Sequence, residues 1–311
     1  MARSANVTKS ASPMRVFSDL QSAIAAAARD ADAALDHLLP KPEGAQSRVH
    51  EAMRYSIFAG GKRLRPFLVL ASAELFGADP KGALRVAAAI EALHTYSLVH
   101  DDLPCMDDDD LRRGRPTAHR AYDEATAVLA GDALLTIAFE IICGADTHPS
   151  AETRCLLALK LAEAGGTFGM IGGQMIDMHQ GEGAKDPVSV INLQQMKTGA
   201  LFEFSCMAGP ILGGAGPGDV ARLQGYAKRF GLAFQITDDL LDAVGSEEKT
   251  GKAVGKDKDK GKVTLISLYG VEGARDEAEN AVKSAVANLE PYGKKASKLR
   301  DLAYFLLDRE S

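Results

Sequence analysis

The chain has 311 residues, of which 46% are hydrophobic and 25% are charged, and its formal net charge is -6. This composition is typical of a soluble globular protein, and it excludes a disordered chain, a collagen-like repeat and a small disulfide scaffold. The acidic balance also excludes a general nucleic-acid binder, which would need a basic surface.

Four scattered cysteines without C-x-x-C spacing favour reduced thiols and a cytoplasmic protein. The N-terminal segment has no apolar core of the secretory type. The most apolar stretch, Val128–Ile142, contains Asp132 and Glu140 and is shorter than the ~20 residues that span a bilayer. We therefore expect no stable membrane insertion.

Helical patterning dominates the chain, and alternating runs of strand type are nearly absent. We predict a disordered tail over residues 1–15 and one all-α domain over residues 16–311, a single large helical bundle. The apolar segment Ala125–Cys143 is predicted to be a central helix surrounded by others. In chain order the predicted helices are Leu20–Leu39, Arg48–Ala59, Leu84–Asp101, Ala125–Cys143, Ala151–Ala164, Val188–Leu212, Asp219–Asp242, Ala274–Leu289 and Lys295–Asp308, with another beginning at Gly60–Pro66.

Six aspartates occupy ten positions from Asp101 to Asp110. Charge runs are ordinarily solvated loops, but Asp101 and Asp102 close an apolar helix, where the helix dipole disfavours negative charge. On a straight helix, Asp101 and Asp107 would lie about 240° apart. Pro104 interrupts the helix between them, so the chain can bend and turn both carboxylates towards one ion. Carboxylate oxygens are hard donors, and such donors favour Mg²⁺.

A second acidic cluster contains Asp238, Asp239 and Asp242, which share one helix face. Like charges at this spacing repel each other, and a bound cation would offset the repulsion. Two such clusters, each flanked by apolar sequence, favour metal binding over a solvated helix end.

Basic residues gather at four further places. Lys62 and Arg65 lie where a helix begins, and helix N-termini suit anions. Arg112 and Arg113 follow the first acidic cluster, and Lys197 lies in the segment Lys197-Thr198-Gly199. The later lysines, from residue 252 to residue 262, fit a solvated loop and an anion site equally well. Acidic and basic groups together fit phosphate anions, some bridged by Mg²⁺ and some bound directly.

These motifs, in their order along the chain, resemble those of the trans-isoprenyl diphosphate synthases. The resemblance runs from about Ser47 to the C-terminus, and it is carried by Gly61–Pro66, His94, Asp101-Asp102-x4-Asp107, Leu111–Gly114, Gly172–Gln174, Lys197–Gly199 and Gln235-x2-Asp238-Asp239-x2-Asp242. It implies the isoprenoid synthase fold with a central substrate cavity, a homodimer, and head-to-tail condensation of isopentenyl diphosphate with an allylic diphosphate. The four-residue spacer after Asp102 is similar to that of bacterial farnesyl diphosphate synthases and of plant-type geranylgeranyl synthases.

The resemblance also implies roles for individual residues. Asp101 and Asp107 would hold two Mg²⁺ ions with support from Asp102, and Asp238 would hold a third with support from Asp239 and Asp242; Mn²⁺ would substitute. The residues expected to contact the allylic diphosphate are Arg112, Lys197, Thr198, Gln235, Lys252 and Lys262. Those expected to bind isopentenyl diphosphate are Lys62, Arg65, His94 and Arg113. The expected catalytic residues are Asp101, Asp102, Asp107, Arg112, Lys197 and Asp238.

Product length is predicted from Tyr96, five residues before Asp101. In the resembling family a bulky side chain at this position closes the floor of the prenyl tunnel. This favours farnesyl diphosphate (C15), with geranylgeranyl or geranyl diphosphate as alternatives. On a helical wheel Ser97 lies more directly below Asp101, so Ser97 is a second candidate for this role.

Other classes of protein fit less well. An HD-type phosphohydrolase would need several histidines on one metal, and a terpene cyclase would not need a second diphosphate pocket. A non-catalytic regulatory subunit typically lacks one acidic motif, whereas both are present. By itself His94 would be interpreted as a core or capping histidine.

Overall fold

The computed structural model describes residues 17–179, 186–244 and 265–308. Within these ranges the chain is almost entirely helical, which confirms the predicted all-α class. The α-helices there are α1 (Ser18–Leu38), α2 (Ser47–Ile57), α3 (Leu64–Leu75), α4 (Pro80–Asp101), α5 (Ala118–Ala121), α6 (Glu124–Cys143), α7 (Ala151–Gly165), α8 (Met170–Met178), α9 (Pro187–Gln194), α10 (Ala200–Leu212), α11 (Pro217–Val244), α12 (Leu265–Ala287) and α13 (Ser297–Asp308).

The other elements in the described ranges are a π turn, a 3₁₀ helix and two short strands. A π-helical turn, Gln195–Gly199, joins α9 to α10, and a 3₁₀ helix, Glu290–Ala296, precedes α13. Two short antiparallel strands, β1 (Leu111–Arg112) and β2 (Arg115–Pro116), form a ribbon after the first acidic cluster. The single helix predicted over Val188–Leu212 is therefore interrupted by a π turn, and π turns occur often at functional sites.

Helix α4 begins four residues before the predicted start. The Asp79 side chain accepts a hydrogen bond from the backbone N–H of Gly82 at 3.1 Å, and Pro80 occupies the first turn. An acidic cap followed by proline is a favourable helix start. As a result α4 runs for 22 residues and ends at Asp101.

Among the residues that the structure describes, the core consists of two apolar clusters. One is centred on α4, α6 and α7, and the other on α11, α12 and α13. Helices α3 and α10 contribute to both, since Phe204 of α10 packs in the first cluster and Phe202 in the second. Both rings are fully buried.

The prediction that Ala125–Cys143 forms a central, surrounded helix is wrong. On α6, Leu129 is 58% exposed, whereas α10 is buried along most of its length. The small side chains of α4 allow close packing against α3 and α6. Composition alone does not distinguish a surrounded helix from one with an apolar outer face.

Candidate active site

Three helix ends and a π turn meet at the candidate site. Helix α4 ends at Asp101, and Asp238 lies near the end of α11. Arg65 lies in the first turn of α3, and Lys197 lies just before α10 begins. Helix C-termini favour cations and N-termini favour anions. The backbone dipoles therefore favour cations near the two acidic clusters and an anion near Arg65.

The first acidic cluster bends back on itself as predicted. The backbone N–H of Asp107 donates to the carbonyl of Asp101 at 2.9 Å. The Gln174 side-chain amide donates to the Asp101 carboxylate. Burial raises the pKa of Asp101, the charge of Lys197 opposes this, and the charge of Asp107 adds to it. The Asp101 carboxylate thus lies in an environment where a bound cation would be favourable.

Asp102 binds Arg112 directly. The Arg112 Nε lies 2.8 Å from both carboxylate oxygens of Asp102, and its Nη2 lies 2.5 Å from Oδ1. Burial raises the pKa of Asp102, and the hydrogen bonds from Arg112 oppose the rise. Asp102 therefore orients an arginine that was predicted to contact the allylic diphosphate.

The β-ribbon fixes the position of the two arginines. Arg113 has a positive φ of 53°, which reverses the chain between β1 and β2. The Tyr55 hydroxyl donates to the carbonyl of Pro116 at 2.8 Å, and the Arg115 guanidinium lies over the Tyr55 ring at 4.3 Å. The ribbon is thereby attached to α2.

A basic pocket surrounds His94. Burial, and after it the positive charges of Arg65, Arg113, Arg112 and Arg63, lower the pKa of His94 well below its ordinary value, so the ring is neutral. The Arg65 guanidinium lies 4.7 Å from the centre of the Phe202 ring. Burial lowers the pKa of Arg65 to about 10. Within the described part of the chain, Arg65 Nε is buried without a hydrogen-bond partner. This pocket suits an anion that needs no metal.

The π turn carries Lys197 and Thr198 into the site. Lys197 Nζ donates to the Asp177 carboxylate at 2.6 Å, and Thr198 Oγ1 donates to Gln235 Oε1 at 3.4 Å. A Cβ on Gly173 would lie 2.3 Å from the backbone nitrogen of Lys197. Glycine is therefore required where α8 crosses the π turn.

The second acidic cluster connects to the same turn through amides. Asp239 accepts hydrogen bonds from Gln235 at 3.0 Å and from Gln194 at 3.3 Å. The charge of Asp238 acts on Arg65, so this cluster also faces the basic pocket. Asp242 lies one turn further along α11 and is partly exposed.

The donor set fits Mg²⁺ held together with a phosphate ligand. In the part of the chain that the structure describes, no three acidic, histidine or cysteine side chains group closely enough to hold an ion by themselves. Mg²⁺ is usually bound by one or two carboxylates with water and substrate phosphates rather than by a complete protein cage. The carboxylates near the ends of α4 and α11 fit this kind of Mg²⁺ coordination.

The predicted chain-length residues lie on α4. Tyr96 is buried, and its ring contacts that of His100 edge-to-face at 5.1 Å between centroids. The charge of Asp132 from α6 also acts on Tyr96, whose pKa is raised chiefly by burial. Ser97 Oγ donates to the carbonyl of His94 at 2.7 Å.

Sequence analysis singled out Gln174 only as part of the Gly172–Gln174 motif and gave it no role, and it did not find Asp177 or Gln194. Gln174 and Asp177 lie three residues apart on α8, a spacing that places them on one helix face. That spacing was the available signal. Lys252 and Lys262 lie outside the described residues.

Comparisons with known proteins identify the family to which this chain belongs. Residues 46–302 match the Polyprenyl synthetase family. The chain is 44% identical over 262 residues to the farnesyl diphosphate synthase of Geobacillus stearothermophilus, covering 83% of this chain and 87% of that protein. It is 43% identical over 291 residues to the chloroplastic geranylgeranyl pyrophosphate synthase 9 of Arabidopsis thaliana, covering 91% and 80%. The apo crystal structure of an FPP/GFPP synthase from Zymomonas mobilis superposes with a TM-score of 0.85 at 44% identity, covering 94% of this chain and 100% of that one.

The chain therefore belongs to the polyprenyl synthetase family. It has the isoprenoid synthase fold and is a prenyltransferase.

Proposed function

We propose that this protein condenses isopentenyl diphosphate with dimethylallyl or geranyl diphosphate to give farnesyl diphosphate and free diphosphate, with Mg²⁺ required. One observation carries the proposal. Two carboxylate clusters at helix C-termini face a separate basic pocket around the neutral His94. Such a site suits one diphosphate bound with metal and another bound without it.

The allylic diphosphate lies at the acidic side in this proposal. Asp101 and Asp107 would hold two Mg²⁺ or Mn²⁺ ions, Asp238 would hold a third, and the supporting carboxylates are Asp102, Asp239 and Asp242. When bound, these ions supply positive charge that stabilises the departing diphosphate. The residues proposed to contact that diphosphate directly are Arg112, Lys197, Thr198, Gln235, Lys252 and Lys262.

Arg112 and Lys197 already have carboxylate partners, Asp102 and Asp177. These partners keep the cationic groups oriented before substrate binds. An incoming diphosphate would accept hydrogen bonds from the same groups, and charge-assisted hydrogen bonds to phosphate are strong.

Isopentenyl diphosphate occupies the basic pocket in this proposal, bound by Lys62, Arg65, His94 and Arg113. The neutral His94 ring would donate one hydrogen bond, and the buried Arg65 Nε would gain the partner that it lacks within the described residues. The carbon–oxygen bond of the allylic substrate breaks, the double bond of isopentenyl diphosphate attacks the resulting cation, and loss of a proton restores neutrality at carbon. The released diphosphate is the proposed proton acceptor, so no side chain is assigned as the base.

Farnesyl diphosphate is the proposed product because Tyr96, a buried aromatic residue five positions before Asp101 on α4, occupies the position at which a bulky side chain closes the prenyl tunnel in the family. Geranylgeranyl diphosphate is the second candidate. It is favoured by the close similarity to plant geranylgeranyl synthases, whose identity of 43% is nearly that of the bacterial farnesyl synthases.

A homodimer is proposed from the apolar outer face of α6, α7 and α8. Two segments, Glu124–Cys143 and Ala151–Met178, are long and apolar enough to cross a membrane. On them Leu129, Leu159, Phe168 and Met175 are all more than half exposed. The Asp132 side chain on the same face of α6 is 60% exposed, which would be costly in lipid. A second copy of the chain, related by two-fold symmetry, would cover this face at lower cost.

We also place the protein in the cytoplasm, since Cys105, Cys143 and Cys155 are free and exposed.

The product assay tests this proposal. Purified protein, labelled isopentenyl diphosphate and geranyl diphosphate are incubated with Mg²⁺, Mn²⁺ or EDTA, and the products are separated by chain length. We expect C15 product with either metal and none with EDTA. Asp101→Ala and Asp238→Ala should each reduce turnover by at least about a hundredfold while the fold persists. Asp110→Ala is the matched control, because Asp110 lies in the same acidic run but pairs with Arg120 on the surface. Normal turnover in Asp101→Ala or Asp238→Ala would refute the assignment.

A further inference from the structure

Arg63 lies between two residues of the proposed isopentenyl diphosphate pocket, yet it is buried. Lys62 is exposed and Arg65 is partly buried, whereas the Arg63 side chain is only 1% exposed. Arg63 has a φ of 49°, which is uncommon for a residue with a side chain. Strained backbone of this kind persists only where the surroundings hold it in place.

Four hydrogen bonds or ion pairs hold Arg63. Its Nε and Nη2 lie 2.9 Å and 2.8 Å from Asp32 Oδ1 on α1, and its Nη2 donates to the carbonyl of Ile57 at 2.5 Å. Its Nη1 donates to Glu91 Oε1 on α4 at 2.7 Å. The loop before α3 is thereby tied to α1, α2 and α4.

Glu91 is the more buried of the two acidic partners, with 3% of its side chain exposed against 44% for Asp32. It lies one helical turn before His94. Its backbone carbonyl also accepts the Thr95 hydroxyl at 2.8 Å, so this turn of α4 is well fixed. The single carboxylate thus connects the Lys62–Arg65 loop to the helix that carries His94.

The charge of Glu91 reaches two further arginines. Burial lowers the pKa of both Arg65 and Arg113, and for each of them Glu91 is the main charge that opposes this. Three guanidinium groups that would otherwise repel one another therefore share one buried counter-charge.

We infer that Glu91, together with Arg63, is a positioning pair that fixes the loop and the arginines of the isopentenyl diphosphate pocket. This inference rests on the proposed function. Glu91 does not touch the substrate; it acts through Arg63, Arg65 and Arg113. A buried ion pair contributes little net stability compared with apolar side chains of similar size. Removal of one partner, however, leaves the other charge buried and uncompensated, so the pair holds its two side chains in one arrangement.

Two variants test the inference. Glu91→Gln removes the counter-charge and leaves the buried Arg63 uncompensated on that side. The double variant Arg63→Met/Glu91→Leu removes both charges and keeps apolar side chains of similar length, so the fold is retained even where the single variant unfolds. The control is Glu203→Gln, since Glu203 of α10 is also a largely buried carboxylate but binds Gln224 and Lys228 of α11.

The readouts are the KM values for both substrates, kcat at saturation and the melting temperature. For the double variant we expect the KM for isopentenyl diphosphate to rise at least about tenfold, with the KM for geranyl diphosphate and kcat within about twofold, because only binding in one pocket is lost. Glu91→Asp, which keeps the charge, should show a smaller rise. The control should change neither KM.

Wild-type KM values for both substrates in the double variant would overturn the inference, as would an equal rise in both. A wild-type protein that forms no prenyl product would instead refute the proposed function. The two failures are therefore distinguishable.

Discussion

Gly61 lies directly against Arg113. A Cβ on Gly61 would be 2.5 Å from Arg113 Nη1 and 2.7 Å from its Cζ. The loop before α3 and the β-ribbon thus meet at a point where a side chain has no room. Gly61 also has a φ of 132°, a conformation that side chains rarely adopt.

Gly61→Ala should displace the Arg113 guanidinium and weaken isopentenyl diphosphate binding. We expect the KM for this substrate to rise at least about tenfold with a smaller effect on the allylic substrate. Gly60→Ala is the matched control, because Gly60 also has a positive φ of 91° but a Cβ there would meet no atom of the described residues within 4 Å. Equal effects of the two substitutions on the KM would show that backbone strain, not contact with Arg113, matters.

Arg112 and Arg113 should differ by substrate. Arg112 is bound by Asp102 at the acidic side, whereas Arg113 contacts Gly61 at the basic pocket. Arg112→Ala should chiefly impair use of the allylic diphosphate, and Arg113→Ala should chiefly raise the KM for isopentenyl diphosphate. Each loss should be on the order of 2–5 kcal/mol for a well-buried phosphate contact. Steady-state kinetics with each substrate varied separately measures this, and identical effects of both variants would contradict the division.

Asp101 should destabilise the ligand-free protein at neutral pH. Burial raises its pKa above the ordinary value of 3.8, so the folded state favours the protonated form. The contribution of protonated Asp101 to the free energy of unfolding is therefore complete at a pH below 3.8. It is lost as the pH rises through the raised pKa of the folded state.

The Asp101→Asn side chain carries no charge at any of these pH values, so this variant does not lose stability as the pH rises. Its Tm should therefore exceed that of the wild type by about 2 °C at pH 7.5. The difference should shrink as pH falls towards 4.5. Asp110→Asn, at an exposed position, should show no gain in Tm. A lower Tm for Asp101→Asn at pH 7.5 would contradict this expectation.

Tyr96 should determine product length by steric exclusion. Tyr96→Ala removes an aromatic ring and leaves room for roughly one further isoprene unit, provided that the cavity does not collapse. The product should shift from C15 towards C20 or longer, with the metal requirement unchanged. Ser97→Phe should favour C10, and Tyr96→Phe, which keeps the ring, should still stop at C15. A Tyr96→Ala variant that stops cleanly at C15 would show that another residue closes the tunnel.

The local pattern of apolar and charged residues in the sequence was enough to predict most helices and to locate both acidic clusters. Apolar periodicity depends on neighbours three and four residues away, and so it is readable in one sequence. The bend after Asp101 was also predictable, because Pro104 cannot continue the helical hydrogen bonding.

The partners of the site residues were not predictable in the same way. The pairing of Lys197 with Asp177 and that of Gln174 with Asp101 join positions 20 and 73 residues apart. The buried pair Arg63–Glu91 spans 28 residues. These pairings depend on how the helices pack against one another. From the sequence alone, the same charged side chains would be predicted to be solvated. The π turn at Lys197 likewise has no local signature, since its sequence continues a helical pattern.

The metal dependence of binding at each diphosphate site distinguishes a metal-dependent allylic site from a metal-free isopentenyl diphosphate pocket. Calorimetric titration of the wild-type protein would use isopentenyl diphosphate in one series and the non-reactive analogue geranyl thiolodiphosphate in the other, each with Mg²⁺ and with EDTA. We predict that isopentenyl diphosphate binds with similar affinity in both conditions, while the allylic analogue binds only with Mg²⁺. Loss of isopentenyl diphosphate binding in EDTA, or unchanged binding of the allylic analogue there, would contradict a site with one metal-dependent and one metal-free pocket.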